Sequence, residues 1–210
     1  MAKRWSRRVG HVPHGISYAV ENGNWFTRFL KKIGIRWVDK DVHITKDGMR
    51  VCGHWGLIAK NGFVLPRWFR KKYGKRPRLK DVVWADLQRL RTARISFHGI
   101  RTYRFVTLKD AMAVCAEIGM GIMVEQKGDV GWGKPETWDA VDQDRISVGL
   151  PKGKMVAATL PGMARAGIML EATHAAGVPN MVIRAQDGVP RSWEPFMTWY
   201  RGKIVWKENR

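Results

Sequence analysis

The sequence predicts an α/β chain, built as a parallel sheet or barrel, and three observations carry that expectation. Short apolar runs alternate with longer stretches of helical spacing along the chain. No internal repeat or low-complexity linker interrupts them. Polar residues gather at the C-terminal ends of the apolar runs, where parallel α/β folds present their sites. At 210 residues the length suits a single domain over the whole chain, 1–210, with a basic loop insertion around 60–80.

A first short strand is expected at 8–11. Apolar residues at Trp25, Phe26, Phe29, Leu30 and Ile33 recur at helical spacing and stop at Gly34, so 24–33 reads as a helix. Residues 37–44 form the second strand, and Lys46-Asp47-Gly48 is a turn signal that sends the chain back through Val51 toward His54. Residues 82–90 carry a helical face of Val83, Leu87 and Leu90. The clearer helix is 107–118, with Thr107 as N-cap, Asp110 three residues on and Gly119 as the stop. A buried strand at 121–127 ends in polar residues. The alternation then repeats as a strand at 155–159, a helix at 163–176 closed by Gly177, a strand at 181–185, a helix around 193–200 and a strand at 203–207.

Composition narrows the function classes. Hydrophobic content of 45% and charged content of 27% are those of a globular protein, and no apolar run reaches membrane-spanning length. The basic first residues lead into Gly10-His11-Val12-Pro13 rather than an apolar stretch, so no secretory signal is expected and a cytoplasmic location is. Cys52 and Cys115 are too few for a disulfide scaffold or a four-cysteine zinc site. The net charge of +20 predicts attraction to polyanions. Residues 67–80 are the densest basic stretch, and the aromatics Trp68, Phe69 and Tyr73 among its cations could stack the bases of a nucleic acid. A solvated basic loop with its aromatics packed underneath is the plainer expectation.

The richest chemistry lies in Asp39-Lys40-Asp41-Val42-His43 and the return to His54. Asp39 and Asp41 are two apart, so on a strand they leave the same face, and two acids facing one way need a cation. The reading sets His43 away from them, facing outward or into a helix layer. In a parallel α/β fold, His11, Asp39, Asp41, Glu125 and Lys127 all fall at or near strand C-terminal ends. Three carboxylates there offer hard oxygen ligands to Mg²⁺ or Ca²⁺, and two histidines can act as acid and base at neutral pH.

These residues resemble the glycerophosphodiester phosphodiesterases, within the phospholipase C-like phosphodiesterase barrels. The resemblance rests on Val20-Glu21-Asn22-Gly23, on Asp39 to Trp55 in register without a gap, on Val106 to Met112, and on Val124-Glu125-Gln126-Lys127. It covers roughly the first 130 residues, and it implies a TIM-type (β/α) barrel, truncated or irregular in its C-terminal half, with closure by a partner subunit as one expectation. It also implies metal-dependent hydrolysis of a glycerophosphodiester P–O bond. Asp39, Asp41 and Glu125 would hold one divalent cation, Mg²⁺ or Ca²⁺. His11 and His54 would be the acid/base pair, with His14 the alternative to His11, and Lys127 would contact the phosphate.

The chain departs from the family pattern in three places. Asp39 stands where the family has Glu, Val12 where it has a phosphate-clamping arginine, and Trp55 where an aspartate follows the second histidine. Arg8 or Lys40 are the candidates to replace the lost clamp. The strong positive charge suits a polymeric or membrane-presented phosphodiester. The competing expectation is a catalytically impaired barrel that binds an anionic ligand or nucleic acid, in either case with homo-oligomer formation open.

Overall fold

In the computed structural model the strand pair that organises the molecule is Trp37–Ile44 (β2) beside Gly121–Gln126 (β7), which run parallel with Asp41 opposite Glu125. The structure describes residues 9–10, 24–32, 36–92, 95–96, 99–100, 103–128, 131–159, 166–182, 199–200 and 203–204. Val9–Gly10 (β1) pairs in parallel with the start of β2, and Arg50–Cys52 (β3) pairs antiparallel with its end. Met155–Thr159 (β8) and Asn180–Val182 (β9) extend the parallel sheet beyond β7. Val106–Thr107 (β6) closes the other edge against β3.

Helices connect the parallel strands. Asn24–Lys32 (α1) joins β1 to β2, Pro135–Ser147 joins β7 to β8, and Ala166–Ala175 joins β8 to β9. Leu108–Ile118 leads into β7, and Thr107 Oγ1 accepts the Asp110 N–H at 3.0 Å, as its cap spacing predicts. These helices cover one face of the sheet. There Val38, Val42, Ile122, Val124 and Ala157 meet Phe26, Leu30, Leu108, Met112 and Trp138 in the main core. Alternate residues of the same strands, Met123, Val156 and Ala158 with Trp37, form a small apolar floor on the opposite face. Gly121 faces Trp37 across the strand pair, and any Cβ there would run into the indole.

This is an α/β fold with a mixed sheet. Parallel strands alternating with helices are the unit of a TIM-type barrel, but among the described residues the sheet runs from β6 to β9 without closing on itself.

Between β3 and β6 the chain makes a folded excursion. It contains 3₁₀ turns at Ile58–Asn61 and Leu79–Asp81, helices at Arg67–Tyr73 and Trp84–Leu87, and a hairpin of Ile95–Ser96 (β4) with Gly99–Ile100 (β5). A second core of Val51, Ile58, Phe63, Phe69, Leu79, Val82, Leu87 and Phe105 holds it. Phe63 stacks on Phe105 at 3.8 Å between centroids. The helix expected over 82–90 is only Trp84–Leu87. It starts where the Asp47 carboxylate accepts the Trp84 N–H at 3.1 Å, and it ends in tighter turns through Leu90.

At the end of the helix expected around 193–200 the structure differs, because Trp199–Tyr200 (β10) is a strand paired antiparallel with Lys203–Ile204 (β11). Two residues including Gly202 separate them, a spacing that favours a hairpin over a helix. Residues 193–198 and 205–207 lie outside the described residues. Both cysteines are buried and free. Among the described residues no helix is long and apolar enough to cross a membrane.

Candidate active site

The site is built by register. In β2 the odd residues Asp39, Asp41 and His43 leave the face opposite the helices, while Val38 and Val42 enter the main core. Asp39 and Asp41 are both buried, at 5% and 6% exposure, so they are not a solvated surface pair. The turn after β2 is tied by Thr45, whose Oγ1 accepts the Met49 N–H at 2.9 Å and donates to Asp47 Oδ1 at 2.5 Å. Gly48 takes φ 82°, the conformation such a turn asks of it. β3 then returns antiparallel along β2, and Gly53 donates to the Asp41 carbonyl at 2.8 Å. That return delivers His54 to Asp41.

His54 Nδ1 lies 2.8 Å from Asp41 Oδ2. The other Asp41 oxygen, Oδ1, is 3.0 Å from Lys127 Nζ, and the same ammonium also bonds Glu125 Oε1. Asp41, Glu125, Lys127 and His54 therefore form one connected cluster at the ends of two paired strands. Burial alone would raise the Asp41 carboxyl, but the His54 hydrogen bond and the Lys127 charge outweigh it and hold Asp41 down at about 2. Glu125 moves the other way, raised by its own burial and by the charge of Asp41. Burial would lower Lys127, yet the two carboxylates hold its pKa above the usual lysine value.

The loop carrying His54 is itself braced. Buried Asn61 accepts the Trp55 N–H at 3.0 Å and donates to the Trp55 and Leu57 carbonyls at 2.7 and 3.1 Å. Trp55 meets the His54 ring edge-on at 4.9 Å between centroids, and Lys60 Nζ sits 4.7 Å from the Trp55 ring centre. The residue that replaces the family's aspartate thus packs against the histidine instead of bonding to it.

Of the residues expected in the site, Asp41, Glu125, Lys127 and His54 are brought together. Asp39 lies two residues before Asp41 on the same face, opposite Met123. Among the described residues no three His, Cys, Asp or Glu side chains are grouped to hold a metal ion. His11, His14, Val12 and Arg8 lie outside the described residues.

Two expectations are overturned. His43 does not turn away from the carboxylates, because it is two residues past Asp41 in an unbroken strand and so shares its face. It is buried, and that burial lowers its imidazole to about 4, against the opposing pull of its hydrogen bond with the His54 backbone and the Asp41 charge. Lys40 cannot clamp substrate, because it is fully buried on the opposite, helix-covered side of β2, where its charge reaches Cys52 and Cys115.

The basic stretch also resolves. Phe69 is fully buried, and the Tyr73 hydroxyl donates to Asp86 at 2.6 Å beside Lys72. Only Trp68 of the three aromatics is exposed, with the Arg89 guanidinium 4.3 Å from its ring centre. The packing matches the plainer expectation, cations in solvent over aromatics that hold the segment down.

A pocket of about 180 Å³ opens beside the cluster, lined by His43, Lys127, Gly56 and Gly128 and by Arg78 and Lys80 of the excursion. Sequence reasoning missed His43, whose parity with Asp41 was the available signal. It also missed Arg78 and Lys80, which only the folding of the excursion brings there.

Residues 29–154 match the model of the glycerophosphoryl diester phosphodiesterase family. No curated protein matches the sequence. Among solved structures, a protein from Silicibacter pomeroyi DSS-3 assigned as a glycerophosphoryl diester phosphodiesterase is similar, with TM-score 0.62 and 18% identity over 92% of this chain and 72% of that one. An Oleispira antarctica phosphodiesterase, solved with its product sn-glycerol-3-phosphate, gives 0.61 and 18% over 89% and 68%. A Galdieria sulphuraria protein assigned to glycerophosphodiester phosphodiesterase gives 0.56 and 16% over 84% and 61%. At these identities the structural likenesses speak to the fold alone.

Proposed function

This chain belongs to the glycerophosphoryl diester phosphodiesterase family, whose members are phosphoric diester hydrolases, and we propose that it hydrolyses a glycerophosphodiester at the Asp41–His54 cluster. The observation that carries the proposal is the doubly engaged Asp41 carboxylate, with one oxygen on His54 Nδ1 and the other on the Lys127 ammonium.

With Nδ1–H donated to Asp41, the His54 lone pair lies on Nε2 of a side chain that is 31% exposed. In that tautomer Nε2 takes the proton from the nucleophilic hydroxyl as it attacks phosphorus. A second histidine gives a proton to the departing alkoxide, and the motif assigns that role to His11. This first step leaves a cyclic phosphate; His11 then takes a proton from the water that attacks it, and His54 returns its proton to the hydroxyl released, so both histidines are restored and one water is consumed.

We propose a divalent cation at these carboxylates as well; among the described residues no three side chains are grouped around one point, so the cation would draw them together. Asp41 and Glu125 already share one cation, the Lys127 ammonium, and Asp39 adds a third buried carboxylate on the same face. Those three would hold Mg²⁺ or Ca²⁺ through hard oxygens. When bound, such an ion withdraws electron density from the phosphoryl oxygens and offsets their growing charge. Lys127, its carboxylates then engaged elsewhere, is free to turn to the phosphate.

The test is turnover of glycerophosphodiesters or of bis-nitrophenyl phosphate. Chelation is expected to abolish it, and His54→Ala to lower kcat by about 10²–10⁴-fold. Full activity in that variant removes His54 from the chemistry. Cation-dependent thermal stabilisation with no turnover of any diester leaves an anion-binding barrel instead.

A further inference from the structure

We infer that Arg78 and Lys80 form a second anion subsite, which selects diesters whose leaving alcohol carries a further negative charge, a phosphate or a carboxylate. This rests on the phosphodiesterase reading above and extends it to the substrate class.

The subsite is built by the excursion. Leu79 is fully buried in the second core and donates its N–H to the Gly56 carbonyl at 2.8 Å, while Ile58 N–H reaches the Pro77 carbonyl at 3.2 Å. Arg78 bridges Leu57, and Val82 accepts the Lys46 N–H at 3.1 Å, so residues 77–82 are pinned between the His54 loop and the turn after β2. With Leu79 committed to the core, its neighbours Arg78 and Lys80 take the pocket wall opposite His43 and Lys127.

Among the described residues no carboxylate lies within ion-pair distance of Arg78 or Lys80, whereas Lys127 is already paired to Asp41 and Glu125. None of the described residues that line the pocket is acidic. His43, which also lines the pocket, has a buried Nε2 with no hydrogen-bond partner among the described residues.

Position and charge balance specify the ligand. His43 is two residues beyond Asp41, about 6–7 Å further along the strand, so the pocket is displaced from the carboxylates by one short substituent. A divalent cation and Lys127 together neutralise Asp39, Asp41 and Glu125. A diester then brings one negative charge against the two positive charges of Arg78 and Lys80, and a second negative charge on the substrate completes the balance. A single clamping arginine would need no such substituent.

The experiment compares kcat/KM for three glycerophosphodiesters whose leaving alcohols are glycerol, glycerol phosphate and glycerate, in the wild type and in the Arg78→Gln/Lys80→Gln double variant. The wild type is expected to prefer the charged substrates by at least about tenfold over glycerol, and the variant to lose that ratio. The phosphate and glycerate arms show which anion the pocket prefers. Equal ratios in both proteins, or proportional loss on all three substrates, overturn the subsite. Equilibrium binding of glycerol bisphosphate against glycerol phosphate supplies a readout independent of turnover. If no diester is hydrolysed but the bisphosphate preference exists and vanishes in the variant, the phosphodiesterase reading fails and the subsite stands. If diesters are hydrolysed without a charge preference, the reading stands and the subsite fails.

Discussion

The two faces of β2 carry charge in opposite ways. On one, Asp41 is bonded to His54 and to Lys127, and Lys127 lines the pocket. On the other, Lys40 is fully buried between Val38 and Val42 under the helices, beside two inert thiols whose burial pushes them up to about 12. Both are ionisable side chains on one strand, one residue apart, and only face separates the proposed site residue from the core residue. Charge in the sequence marks candidates, but parity along the strand decides which of them can meet a substrate.

The sharpest break of that comparison is a pair of substitutions. Asp41→Asn keeps the shape but removes the charge that orients His54, and kcat should fall about 10³-fold or more. Lys40→Met, one residue away, should leave kcat of the folded protein within about threefold. Steady-state kinetics on folded protein decide it, and comparable losses in the two variants would end the distinction between the faces.

Next in size is a pH effect belonging to His43. Its folded pKa is about 4 against an unfolded value near 6.5, so between those values the unfolded chain binds the proton and the folded chain does not. Stability is therefore full above the unfolded value and is lost as pH falls from about 6.5 to 4, by about 3 kcal/mol in total. Asp41, His54 and Lys127 face the same ring. Urea melts across that range should flatten in His43→Asn, and an unchanged slope would assign the acid lability to those neighbours.

The smallest effect tests the floor beneath the site. Gly121→Ala places a methyl group against the Trp37 indole, with an expected cost of about 2 kcal/mol in denaturant unfolding. A neutral result would mean that the indole can move aside.

Much of this arrangement was legible. The turn residues Lys46-Asp47-Gly48 foretold the return of His54 over Asp41, and Thr107 and Gly119 bounded their helix because capping is local chemistry. The ordered run from Asp39 to Trp55 carried the family. What failed was either counting or tertiary packing. His43 was assigned to the wrong face although its parity was in plain view. Residues 135–147 were not read as a helix because their buried positions, Trp138, Val141 and Arg145, mix aromatic, aliphatic and charged side chains, leaving Pro135 at the start as the main signal. Arg78 and Lys80 could not be placed, since their approach to the site depends on Leu79 entering a core assembled from residues 51 to 105.

Lys127 gives the carboxylate pair a tethered counter-ion. Two buried acids facing each other would repel strongly, and a fold that relied on a dissolved ion to quiet them would lose stability whenever that ion became scarce. Here the chain carries its own neutralising charge two residues beyond Glu125. A cation of the proposed kind would have to compete with an ammonium that cannot diffuse away, so its affinity would be set as a difference between two cations rather than by the acids alone.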